Sequence, residues 1–194
     1  MKKYILSLVI SALCATAQAS NQYNSAKANI YNKDGVALGK VEFTQHNDGV
    51  EIKVDVAKLP AGFHGFHIHA VGQCVVANTI PATAPFASAM GHFKRDLNVP
   101  SNHQNHSGDF PVLLVNQNSK VKTVFKTDRF KIKDLFDADG SAVIIHADAD
   151  NYANTPAARY TQTPIATPPV TGADATTLAT GDSGARSACG VVKR

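Results

Sequence analysis

Val50-Glu51-Ile52-Lys53-Val54-Asp55-Val56 alternates a β-branched apolar residue with a charged one at every step. Successive side chains of a strand leave opposite faces, so this run turns Val50, Ile52, Val54 and Val56 to one side and Glu51, Lys53 and Asp55 to the other. A strand with one apolar and one polar face covers half of a sandwich. Working outward, Asp34-Gly35 and Asp48-Gly49 are turn signals between β-rich runs, so Ala28 to Val56 reads as antiparallel strand, turn, strand. Further strand candidates are Gly65 to Ala70, Phe110 to Asn116, Val121 to Thr127, Ala142 to Ala147 and Ala188 to Val192, separated by Gly, Asn, Asp and Pro. The class is all-β, an antiparallel β-sandwich. One short amphipathic helical turn is expected around Phe130 to Phe136, stopped by Asp139-Gly140.

Two segments, about 71–109 and 148–186, are long, irregular and rich in Ala, Thr, Pro, Asn and Gly. Loops of such length in a compact domain are usually functional or disordered. Both start or end beside a histidine, a glycine pair or a cysteine, and are read as site-building loops. No role is assigned within Thr161 to Thr180.

At the N-terminus, Lys2 and Lys3 precede an apolar run ending in Ala17-Gln18-Ala19, the pattern of a secretory signal peptide over residues 1–19. That run is too short to span a bilayer, which takes roughly 20 apolar residues. The expected product is an exported chain, periplasmic or secreted, with no membrane anchor and a single domain over 20–194. Without Lys2 and Lys3 the formal charge falls from +4 to +2, and the remaining cations are scattered among acids. No basic stripe points to nucleic acid. Cys74 and Cys189 then remain, and in an exported protein two cysteines are expected to pair. Monomer and homodimer both stay open.

Seven of the eight histidines, all but His46, fall between His64 and His146. His67 and His69 stand two apart on an expected strand, so their rings leave the same face and reach one metal. His92, His103, His106 and His146 lie on or beside the loops that would fold over that face. Several imidazole ligands suit copper, zinc, iron and nickel, and a tetragonal set of them favours Cu(II).

Gly65-Phe66-His67-Ile68-His69 with Gly72 and Cys74 resembles the first signature of the Cu/Zn superoxide dismutase family. Gly91-His92-Phe93, His106-Ser107-Gly108-Asp109 with Gly140 to His146, and Gly181 to Val191 around Arg186 and Cys189 follow in the family's order. The resemblance runs from about Ala28 to Val192 and implies a Greek-key sandwich or flattened barrel. It also implies copper on His67, His69, His92 and His146, with His92 bridging to zinc, and zinc on His92, His103, His106 and Asp109. Asp150 would be the carboxylate that links the two sites through their histidines, Cys74 would pair with Cys189, and His64 would brace loops without binding metal. Arg186 would attract and orient the superoxide anion, and His92 would store a proton for it. One departure concerns zinc: His103 and His106 are only three apart, closer than in the family pattern. The Asn151-Tyr152-Ala153-Asn154 region resembles exported bacterial members thought to work with copper alone. The reaction implied is disproportionation of superoxide to dioxygen and hydrogen peroxide; the alternative is a copper-binding or copper-delivery protein on the same fold.

Overall fold

In the computed structural model, which describes residues 23–76, 84–155 and 172–194, the alternating run forms most of the strand β3 (Gly49–Ala57). Val50, Ile52, Val54 and Val56 are buried along it and Lys53 is exposed, as the alternation requires. It pairs antiparallel with β2 (Ala37–His46), which pairs with β1 (Ser25–Asn32). Asn32 Oδ1 accepts from the Asp34 and Val36 amides, and Gly35 takes the left-handed conformation (φ 75°) that closes the turn.

The remaining strands among the described residues are β4 (Gly62–His64), β5 (Phe66–His69), β6 (Leu113–Val115), β7 (Lys120–Thr127), β8 (Ala142–His146) and β9 (Arg186–Lys193). Seven of the strands make one antiparallel sheet in the order β5-β8-β9-β1-β2-β3-β7, and β4 pairs with β6 in a two-stranded sheet. Because β7 and β5 are its two edges, the chain between β7 and β8 must return across the sheet, a Greek-key type of connection. Ala28, Ile30, Val41, Phe43, Ile52, Val54, Phe66 and Phe110 belong to one buried cluster inside this curled sheet. Phe110 contacts Phe66 and Phe125 at ring separations of 5.2 and 5.3 Å. Burying each such side chain stabilises the fold by about 1.5–3 kcal/mol.

The expected strands at 65–70, 110–116, 121–127, 142–147 and 188–192 all form, with bounds shifted by at most three residues. The helical turn expected near Phe130 is a 3-10 turn at Ile132–Leu135 that buries both end residues. Three elements differ from the sequence reading, one of them a 3-10 turn at Ala87–Ala89 inside the first segment read as irregular. β4 is three residues long and exists by pairing with β6. Within the second segment read as irregular, Ala175–Thr180 form a helix, α1. The Asp174 carboxylate accepts from the Thr177 amide at its start, and left-handed Gly181 ends it. Residues 1–19, read as a signal peptide, and 161–171 lie outside the described residues. No helix among the described residues is long and apolar enough to cross a membrane.

Candidate metal centre

β5 and β8 are buried on both faces. Phe66, Ile68, Val143 and Ile145 turn into the main core, whereas Ala142 and Ile144 pack in a second cluster with Phe86 and Cys189. The strand period of two therefore sends His67 and His69 to the face opposite the main core, under the long loops. Register completes the placement: His67 lies opposite Ile144 and His69 opposite Ala142, so His146 projects from the same face. The loop reaches them through isolated bridges, His67 with Asp109 and His69 with His92. His67, His69, His92 and His146 thus offer ring nitrogens that all lie within 4.8 Å of one another.

Each ring of this set is oriented by a hydrogen bond on its outer nitrogen. His67 Nε2–H donates to Asp150 Oδ2 at 2.5 Å, His69 Nδ1–H to the Met90 carbonyl at 2.7 Å and His146 Nδ1–H to the Gly184 carbonyl at 3.1 Å. These partners select tautomers that leave a bare lone pair at His67 Nδ1, His69 Nε2 and His146 Nε2. The Nε2 atoms of His69 and His146 face each other at 3.4 Å, and His67 Nδ1 is buried without a hydrogen-bond partner. Burial holds His67 and His69 well below the ordinary imidazole range, with His92 adding to it, and brings His146 down to about 4. At neutral pH the rings are uncharged, the form that binds metal.

The second set is loop-borne. His92, His103, His106 and Asp109 also bring their donor atoms within 4.8 Å of one another. The close spacing of His103 and His106 does not separate them. The His106 amide donates to the Asn102 carbonyl, forming a helical turn that places both rings beside Asp109. Three Nδ1 atoms converge on that carboxylate: His92 on Oδ1 at 2.8 Å, His103 in close contact with Oδ2, and His106 3.3 Å from Oδ2. Burial pushes the Asp109 carboxyl up, but the bonds from His103, His106 and His92 outweigh it and hold it well below the usual carboxylate range. His92 belongs to both sets: its Nδ1 faces Asp109, leaving Nε2 for the strand-borne histidines.

Asp150 joins the two halves. Besides the bond to His67, its Oδ1 lies 3.4 Å from His103 Nε2 and accepts from the Tyr152 amide at 2.6 Å. Gly181 takes φ 56°, and a Cβ there would meet His103 Nε2 at 2.6 Å, so only glycine lets the end of α1 pack against the site. His64 stays outside both sets and braces the His146 and Pro60 carbonyls at 2.7 and 2.9 Å. The Cys74–Cys189 disulfide is formed, with Cα atoms 5.7 Å apart. Arg186, half-buried, donates to the Phe86 and Met90 carbonyls at 2.5 Å each.

Sequence reasoning did not single out several residues that hold this arrangement. Phe86 and Met90 both have φ 62°, uncommon for residues with a side chain, and their carbonyls fix Arg186 and His69. Ser101 Oγ lies 3.0 Å from His106 Nε2, and the Tyr152 hydroxyl accepts from the Val112 amide at 2.8 Å. None of these carries a motif, and only the Tyr152 neighbourhood has a sequence signal, its resemblance to exported bacterial members.

The donor chemistry fits two metal ions. Four neutral imidazoles suit copper, and three imidazoles with one carboxylate suit tetrahedral zinc. Of the three orphaned buried imidazole nitrogens, His67 Nδ1 and His106 Nδ1 are the atoms such ions would satisfy, whereas His103 Nε2 faces Asp150 Oδ1.

Residues 37–192 match the copper/zinc superoxide dismutase family, and the chain belongs to that family. It is 44% identical over 162 residues to "Superoxide dismutase [Cu-Zn]" of Mycobacterium bovis, a match covering 81% of this chain and 64% of that protein. The chain thus spans slightly under two thirds of the mycobacterial relative's length. The Escherichia coli K12 protein of the same name is 30% identical, with both chains fully covered. Among solved structures, a SOD-like protein from Bacillus subtilis is 30% identical at a TM-score of 0.59, covering 85% of this chain and 96% of that one. Family membership implies copper and zinc as the metals.

Proposed function

We propose that the chain disproportionates superoxide, with His67, His69, His92 and His146 holding copper and His92, His103, His106 and Asp109 holding zinc. The observation that carries this reading is the convergence of four lone-pair nitrogens beside a half-buried arginine. When bound, copper supplies the one-electron redox change by which one superoxide leaves as dioxygen and a second, with two protons, as hydrogen peroxide, whereas zinc keeps one oxidation state. Arg186 stays cationic despite the lowering effect of burial and presents a fork of donors suited to a small anion. Its two carbonyl anchors hold it in place. His92 Nε2, on the side away from Asp109, is the atom that would hold a proton beside the substrate whenever it is not engaged with copper.

Residues 20–194 are read as the working domain behind a cleaved export signal, acting in a periplasm or outside the cell. The test is superoxide consumption by the purified protein loaded with copper alone and with copper plus zinc. His146→Ala should lose copper and activity together. Arg186→Ala should keep copper and slow the reaction by at least about tenfold, since electrostatic focusing, for which this family is a standing example, raises encounter rates by roughly ten- to a thousandfold. Tight copper binding without activity would overturn the dismutase reading and leave a copper-delivery protein in its place.

A further inference from the structure

A cavity of about 520 Å³ opens directly onto the loop-borne set, lined by His103, Gln104, Asp109, Phe110, Arg129 and Tyr152. None of His67, His69, His146 or Arg186 borders it, so it is separate from the arginine side of the centre. Within the loop-borne set the His103 side chain is the most open, at 7% exposure against 4% for Asp109, 3% for His92 and 0% for His106. On the opposite side, the rings of His67 and His92 stand 3.9 Å apart, and a cation could not leave there without displacing ligands.

The chemistry of the cavity is uneven. The Tyr152 hydroxyl is already engaged, accepting from Val112 and donating to the Phe110 carbonyl, so it acts as wall. Arg129 is exposed, donates one bond to the Gln104 carbonyl at 3.3 Å and forms no ion pair with any described residue. A guanidinium with no ion pair among the described residues therefore stands at the mouth, and a carboxylate with three imidazoles stands at the floor. A bare dication meets like charge on entry. A dication carried by a carboxylate ligand meets an attraction, and a guanidinium pairs with carboxylates through two parallel bonds.

We infer that this cavity is the exchange port of the loop-borne subsite and binds small polycarboxylate chelators through Arg129 as they deliver or withdraw its cation. The inference rests on the zinc reading of that subsite. It predicts a selectivity that a merely structural arginine would not produce.

The experiment uses the protein loaded with copper and zinc, its zinc content confirmed first. Zinc release is followed by elemental analysis after rapid filtration, driven either by nitrilotriacetate, a polycarboxylate, or by neutral 1,10-phenanthroline. Arg129→Gln should slow release to nitrilotriacetate by about tenfold, the worth of a hydrogen bond to a charged group, and leave release to phenanthroline nearly unchanged. Arg129→Lys should restore part of the difference. Equal changes with both reagents would mean that Arg129 only pins the turn bearing His103, and unchanged rates would mean that it plays no part; either overturns the port. A protein that retains no zinc at all would instead overturn the subsite reading, and the port with it.

Discussion

The two halves of the metal centre are built by different means. His67, His69 and His146 sit on β5 and β8, strands buried on both faces, and their positions follow from strand period and register. His92, His103, His106 and Asp109 sit on the long connection between β5 and β6, which among the described residues carries only a three-residue 3-10 turn. Sheet hydrogen bonds fix the first half. The second is held by side chains: Asp109 gathers three rings, Asp150 faces His103, and Ser101 braces His106. The strand-borne half should therefore be preorganised without metal, and the loop-borne half should owe much of its order to the cation proposed for it.

The largest test of this contrast removes the covalent link between the halves. Cys74 begins the long loop and Cys189 lies in β9, at a sequence separation of 115. In the chain-entropy account a cross-link over that distance is worth about 4–5 kcal/mol at most. Cys74→Ser should lower the denaturation free energy of the metal-free protein by up to that amount and should also loosen Arg186, whose carbonyl anchors Phe86 and Met90 lie on the same loop. Chemical denaturation measures the first effect and the superoxide rate of the copper-loaded protein the second. A variant with wild-type stability would show that the loop needs no staple.

Asp150 offers a sharper and smaller test because it touches both halves. Partners outside the ligand set usually account for ten- to a hundredfold in metal affinity. Asp150→Asn should weaken zinc by about that factor and copper by less, since His67 keeps its strand while His103 keeps only Asp109. Competitive metal titration reads both affinities in one sample. Equal losses would mean that the strand gives His67 no advantage.

The same contrast explains what was legible in the sequence. The alternation at 50–56 announced β3 because a half-buried strand writes its two faces directly into residue order. His67 and His69 were readable for the same reason. His103 and His106 were harder: their spacing looked too short for the family pattern, and only the backbone turn onto the Asn102 carbonyl brings both rings to Asp109. The carbonyls of Phe86 and Met90 were not readable at all, because any residue supplies a carbonyl and its direction depends on a left-handed φ imposed by the surrounding loop. β4 escaped because three residues carry no period, and α1 because its six residues, Ala-Thr-Thr-Leu-Ala-Thr, present no apolar stripe.

The smallest expected effect concerns Tyr152, which lies on the loop-borne side of the comparison. Its amide fixes Asp150 Oδ1, and its hydroxyl ties this loop to the Val112 amide and the Phe110 carbonyl. Tyr152→Phe keeps the ring and the backbone bond and removes only the hydroxyl, so the cost should be about 1 kcal/mol, that of a typical net hydrogen bond. The loss should fall on the zinc-loaded protein, because the hydroxyl secures the segment that carries Asp150 toward His103 and lines the cavity beside it. Thermal unfolding of the metal-free, copper-loaded and copper-plus-zinc-loaded forms tests this directly. If the variant loses the same stability in all three states, Tyr152 supports the fold in general, and the loop-borne half extends no further than its ligands and Asp150.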